Sequence, residues 1–271
     1  MVEEALHAVS GAGAVSAIVM LTWAVGLVAG SAWTQSWDVV KRGHFRIVAW
    51  CTVVVAALGL LGSISATVGV EGGSIQRTFV AFFCGSVVVY LAAQYRAGDQ
   101  VAATIGAGSS VIGVMAIAVT AGLLTQWNLV LSTLALVVGA ALLGAVTNGM
   151  LLGHWYLNQP GLKPWALARL TLAGLWVAML SALLGIVSAG RLIGAPTEGA
   201  ALGLPGFGQN FGPAFFFIWL ALVLFTAGVI YAVKRCIDIR SIQSATGLYY
   251  VAILTAGVAE FLVRYLMVNA A

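Results

Sequence analysis

Few side chains in this 271-residue chain can do chemistry, because 62% of the residues are hydrophobic and only 7% are charged. They gather in three places. The first is AVTNGMLLGHWYLNQPGLKPW, residues 145–165. At helical spacing Thr147, Leu151, His154 and Asn158 share one narrow face, with Gly149 and Gly153 on the opposite side. Asn148 and Tyr156 add hydrogen-bonding groups. A neutral imidazole can ligate a haem iron or bond a quinone carbonyl, so His154 is a candidate ligand or proton carrier that should face the interior beside Thr147. A His-Trp-Tyr run at a helix end is also how an interfacial aromatic belt reads. His44, in KRGHFR, offers a second imidazole. With His154 it makes a bis-histidine site for a b-type haem conceivable, against the plainer reading of a solvated helix end.

The second place is RSIQSATGLYY, where Ser241 is placed to cap a helix and Gln243, Ser244, Thr246, Tyr249 and Tyr250 concentrate hydrogen-bonding groups. Together with the first stretch it would line a pocket; capping plus an aromatic belt is the alternative. The third is Glu260 and Arg264, opposite charges four residues apart, which should form an ion pair screened from lipid. The alternative there is an arginine snorkelling to the headgroups with the glutamate as its local partner. Thr246, Ile253, Glu260 and Arg264 fall within about 40° on a helical wheel, so the last span should turn a polar edge inward.

Several chemistries lack their residues. Cys51, Cys84 and Cys236 stand far apart with no C-x-x-C, which leaves them as packing residues rather than metal or iron–sulfur ligands. No HExxH or Gly-x-Ser-x-Gly accompanies His154, so an intramembrane enzyme is the weakest reading. GFGQNFG has neither the spacing nor the preceding strand of a dinucleotide fingerprint. The net charge of +4 and pI near 9.2 call for no nucleic acid, because the basic residues sit between long apolar runs.

Those runs must position everything else. A mean hydropathy of +1.05 excludes a soluble domain. A helix needs roughly 20 apolar residues to cross a hydrocarbon core of about 30 Å. Eight segments qualify, near Ala8–Gly30, Phe45–Val68, Ile75–Tyr95, Val101–Thr125, Trp127–Leu157, Trp165–Ala189, Pro213–Val233 and Ile242–Val268. The expected fold is one all-α domain over residues 1–271, an eight-helix integral membrane bundle. The acidic start MVEEALHAVSGAG reads as a short tail before a retained first span. Lys and Arg concentrate between spans one and two, three and four, five and six, and seven and eight, which puts those connections in the cytoplasm and both termini outside. The Gly- and Pro-rich connection Gly190–Gly212 reads as a lid or docking loop. No internal repeat stands out, and that weakens a transporter reading.

The closing segment TAGVAEFLVRYLM resembles the last helix of membrane anchor subunits of the dimethyl-sulfoxide-reductase class, which carries Glu-x-x-x-Arg after small residues. Eight spans with outer termini match that family's topology. The resemblance implies an integral subunit that exchanges electrons with the quinone pool for a peripheral iron–sulfur partner, with Glu260 and Arg264 at the motif positions. The family's quinone-facing histidine lies in the outer half of an early helix, whereas His44 and His154 map to the cytoplasmic side. The expectation is therefore a non-catalytic subunit of a respiratory complex in the bacterial inner membrane. A small-solute or ion permease, with its path beside the fifth and eighth spans, is the alternative.

Overall fold

The computed structural model describes residues 11–159, 161–162, 164–194 and 211–270. Among them are eight helices long and apolar enough to cross a membrane. They are α1 (Gly11–Gln35), α2 (Arg42–Ala66), α3 (Gly73–Arg96), α4 (Asp99–Gly122), α5 (Leu129–Asn158), α6 (Trp165–Val187), α8 (Gly212–Asp238) and α9 (Ile242–Asn269). A short helix, α7 (Ala189–Ile193), follows α6 at the start of the long connection. It was not foreseen, and residues 195–210 of that connection lie outside the described residues.

Local chemistry sets the ends. Asn128 caps α5, its side chain accepting from the amides of Val130 (3.0 Å) and Leu131 (3.2 Å). Pro213 stands in the first turn of α8, where a missing N–H costs nothing. Two helices outrun the expected spans for polar reasons. In α1 the residues past Gly30 stay helical because Ser31, Thr34 and Gln35 find buried partners. In α8 the helix carries Lys234 out to Asp238, which pair one turn apart at 2.5 Å.

The helices form two rings. In the first, α1 packs on α2, α2 on α3, α3 on α4, and α4 back on α1; in the second, α5, α6, α8 and α9 close in the same order. The rings meet along α1 and α5, with α4 touching α5 and α9 touching α1. Exchanging α1 with α5, α2 with α6, α3 with α8 and α4 with α9 reproduces this pattern, so the molecule has a pseudo-two-fold axis along the bundle. Gly26 and Gly144 meet at the seam, where a Cβ on Gly144 would overlap the Gly26 backbone. Lining residues of a cavity in each ring match in register. Ala17 answers to Ala135, Ser63 to Ser181 and Ala66 to Leu184 at one constant shift; Gln76 answers to Trp219, Thr120 to Val263 and Leu124 to Met267 at a second, larger one. The difference is the stretch between α6 and α8 that includes α7. Sequence reading missed this repeat because lipid-facing positions accept any apolar residue, so matched positions share size or place rather than identity.

The outer surface is apolar. Phe82, Trp176, Phe217 and Leu254 are all exposed on the spans, while polar side chains turn inward. One face carries Arg42, Arg46, Arg169, Lys234 and Arg240 at the helix ends and is called here the basic face; Arg77 and Arg191 lie at the opposite one.

Candidate functional site

The second ring holds the only ion pair buried from both sides among the described residues. Glu260 and Arg264 are 0% and 2% exposed, with Arg264 Nη2 at 2.5 Å from Glu260 Oε2. Nine residues separate Glu260 from the end of α9 at Asn269, about 13 Å of helix, so the carboxylate sits well below the opposite face. Arg264 Nη2 also donates to the Ala135 carbonyl at 2.9 Å, and Nη1 to the Met267 sulfur at 3.0 Å. Gly139 on α5 makes the room: a Cβ there would overlap both the carboxylate and the guanidinium. The expected screened pair is therefore present and intrahelical, and Arg264 does not snorkel.

Its hydrogen bonding is incomplete. Glu260 Oε1, Arg264 Nε and Trp219 Nε1 are buried without partners. Trp219 and Arg264, with Trp127, Ala135, Ser181 and Met267, line a cavity of ≈ 20 Å³, room for about one or two water molecules. Leu192 and Ser188 also line it, and Arg191 of α7 lies 5.4 Å over the Trp127 ring. Trp127 is held in turn by its indole N–H, which donates to the Met267 carbonyl at 3.0 Å. Chemically this is a cationic donor in the wall of an aromatic-lined void, paired to a carboxylate that does not itself line it.

The equivalent chamber of the first ring is neutral. Gln76 donates to Ser63 Oγ (3.1 Å) and Thr120 Oγ1 (3.2 Å), while its Oε1 has no partner. Where the second ring has Glu260, Arg264 and Gly139, the first has Ile117, Ala121 and Leu21, all buried.

The fifth-span candidates divide. Thr147 is buried, accepting from Trp23 Nε1 at 2.9 Å and donating to the Leu143 carbonyl at 2.7 Å. Asn148 is buried at the α1–α5 seam, donating to the carbonyls of Leu27 (3.2 Å) and Gly144 (2.9 Å) with Oδ1 unpartnered. Tyr156 is buried. His154 and Asn158 are exposed, which corrects the expectation that His154 faces inward. The wheel angle relating it to Thr147 is sound, but α5 runs two turns further toward the basic face, and there that side of the helix has no neighbour.

His44 is corrected in the other direction. It is 2% exposed rather than solvated, packed against Phe45 (5.0 Å between ring centroids) and Trp155 (5.8 Å). With His44 buried on Trp155 and His154 exposed, the two imidazoles are not presented to one iron, and no cluster of three metal-ligating side chains occurs among the described residues.

At the start of α9, Gln243 and Tyr250 are exposed, and Ser241 bonds Ser244 Oγ at 2.8 Å instead of capping the helix. Thr246 is buried against Gly153 and donates to the Ile242 carbonyl at 2.9 Å. The pocket expected between the fifth and eighth spans is filled: the Tyr249 ring lies on Gly149, and its hydroxyl bonds Thr171 Oγ1 at 2.7 Å. The first ring has its own plug, which sequence reasoning missed. Tyr90 bonds Ser31 at 2.8 Å and leans on Gly106, and Gln35 and Gln94 exchange amide bonds of 3.0 and 2.9 Å beneath it. The available signal was two glutamines set near the same end of two otherwise apolar spans. No family model, curated protein or solved structure matches the chain, so the molecule is characterised by its own architecture: a multi-pass helical membrane protein built from two similar four-helix rings.

Proposed function

We propose that this chain is a non-catalytic membrane subunit of an electron-transfer complex, similar to the anchor subunits of the dimethyl-sulfoxide-reductase class, that meets a quinone or quinol at Glu260 and Arg264. One observation carries the reading: Arg264, with an unpartnered Nε, lines a cavity walled by Trp127 and Trp219, and its buried ion-pair partner Glu260 keeps an unpartnered oxygen. A quinol hydroxyl donates to such an oxygen, and Arg264 Nε would meet the ring's other polar edge. The present void is smaller than a quinone ring, so Met267 and the α7 residue Leu192 must move aside for entry. The remaining parts of the reading are the positive-inside orientation with outer termini, a bacterial inner membrane, and a peripheral iron–sulfur or other redox subunit as partner.

A permease is the second reading, favoured by the two-ring organisation, since many transporters are internal repeats. Against it, Tyr90 and Tyr249 each fill the interior of a ring toward the basic face.

Titrating the purified protein with a short-tailed quinone, read by tryptophan quenching, tests the proposal. Saturable quenching should weaken at least tenfold in Glu260→Gln that retains its helical circular dichroism. Equal binding by both proteins would remove the quinone from this site. Copurification with a redox subunit from native membranes tests the anchor role separately.

A further inference from the structure

The pseudo-two-fold relation is broken in one place, and the break leaves a groove. On one flank of the seam α2 reaches across to α5, whereas on the other α6 makes no comparable contact with α1. The closed flank is filled by Trp23 and Leu27 of α1, Trp23 tied to Thr147 and the Leu27 carbonyl to Asn148. Their counterparts on α5 are Ala141 and Ala145. The open flank is accordingly a groove of ≈ 280 Å³ between α1, α5 and α6, lined by Ala29, Trp33, Ala141, Leu170, Ala173 and Val177. Its lining is almost wholly apolar, and Ala29 and Ala141 are exposed in its walls. From Leu170 to Val177 it follows α6 for about 10 Å into the bilayer.

A cation stands at its mouth. Arg169 is exposed at the basic face, one residue before Leu170. Its guanidinium lies 5.6 Å over the Trp33 ring and 5.2 Å over the Trp37 ring, and Trp165 packs on Trp37 at 5.5 Å. None of the three ion pairs among the described residues involves Arg169. The aromatic clamp fixes the charge at headgroup depth while leaving its donors free.

We infer that this groove binds one anionic glycerophospholipid from the leaflet at the basic face, its phosphate on Arg169 and one acyl chain between α1, α5 and α6. The closed flank shows what the space needs, since the same position there takes an indole and a leucine. An acyl chain supplies equivalent apolar bulk, and a phosphate supplies the counter-charge that Arg169 lacks. Arginine can meet it with two parallel hydrogen bonds.

The test uses the full chain reconstituted in vesicles of equal parts phosphatidylglycerol and phosphatidylcholine, re-extracted in mild detergent, with bound lipid counted by native mass spectrometry. Phosphatidylglycerol should be retained severalfold over phosphatidylcholine. Arg169→Gln should bring the two to parity. Ala141→Trp, which copies the filled flank, should lose one bound lipid; Ala173→Leu narrows the same groove with less bulk and should act in the same direction if the tryptophan variant misfolds. Parity in the unaltered protein, or unchanged retention in Arg169→Gln and in both folded groove variants, overturns the inference.

Discussion

Replacing Glu260 by Gln keeps the shape of the side chain and removes its charge. Arg264 is then left 2% exposed without a counter-charge, its acceptors being the Ala135 carbonyl, the Met267 sulfur and the neutral amide oxygen at position 260. Replacing Arg264 by Gln is at least as costly, because the Glu260 carboxylate loses the one group that contacts it. Stranding one member of a buried pair costs about 3–5 kcal/mol. At the usual conversion for a large domain, that is a fall of roughly 10 °C in the thermal midpoint. In Glu260→Gln/Arg264→Gln neither charge remains to be stranded, so the double variant should be more stable than the two single effects predict, with a coupling of about 2 kcal/mol or more. The measurement is unfolding of the four proteins in one detergent, followed by circular dichroism as a function of temperature and of denaturing surfactant. Two tolerated single variants with coupling below about 0.5 kcal/mol would refute the reasoning, since they would mean that water or lipid headgroups already solvate the pair.

Two further outcomes follow from the packing. Gly144→Leu drives a side chain into the Gly26 backbone and should cost about 3 kcal/mol or more, whereas Gly85→Leu and Gly228→Leu, at matched positions with open space around them, should leave the thermal midpoint in place. His154→Ala removes an exposed side chain and should change stability by less than about 0.5 kcal/mol and leave quinone quenching unaltered; a large loss of either would contradict the outward placement of His154.

The spans were legible because crossing a membrane demands a length of apolar sequence, and that demand is one-dimensional. Which face of each helix turns inward was not. In water a buried face is the apolar one, but here Phe82, Trp176 and Leu254 face out while Gln35, Gln94 and Glu260 face in, so hydropathy carries no direction. Polar spacing recovers part of it. Glu260 and Arg264 were legible because an i, i+4 pair is local and needs no knowledge of the neighbours. His154 failed for the opposite reason. Its burial depends on where neighbouring helices end, a long-range property, and His44 failed likewise because Trp155, docking from α5, packs against it. The sequence likewise could not reveal that Gly139, Gly144 and Gly149 receive three different partners, namely an ion pair, a backbone and a tyrosine ring.

The two rings allow one conclusion that neither allows alone. At matched positions the first ring has Leu21, Ile117 and Ala121 where the second has Gly139, Glu260 and Arg264. The same architecture is thus completed once without charge. A buried ion pair replaced by well-packed apolar groups is often neutral or stabilising, so folding alone does not account for the second ring's charges, and the unpartnered Glu260 oxygen and Arg264 Nε are the groups that the proposed quinone site would use. Transplanting the first ring's solution tests this. Gly139→Leu, Glu260→Ile and Arg264→Ala together restore bulk where the charges leave it, and the triple variant should unfold within about 2 kcal/mol of the unaltered protein while losing quinone binding. A triple variant as unstable as the single ones would mean that the ion pair holds the ring together, and the site assigned to it would lose its main physical support.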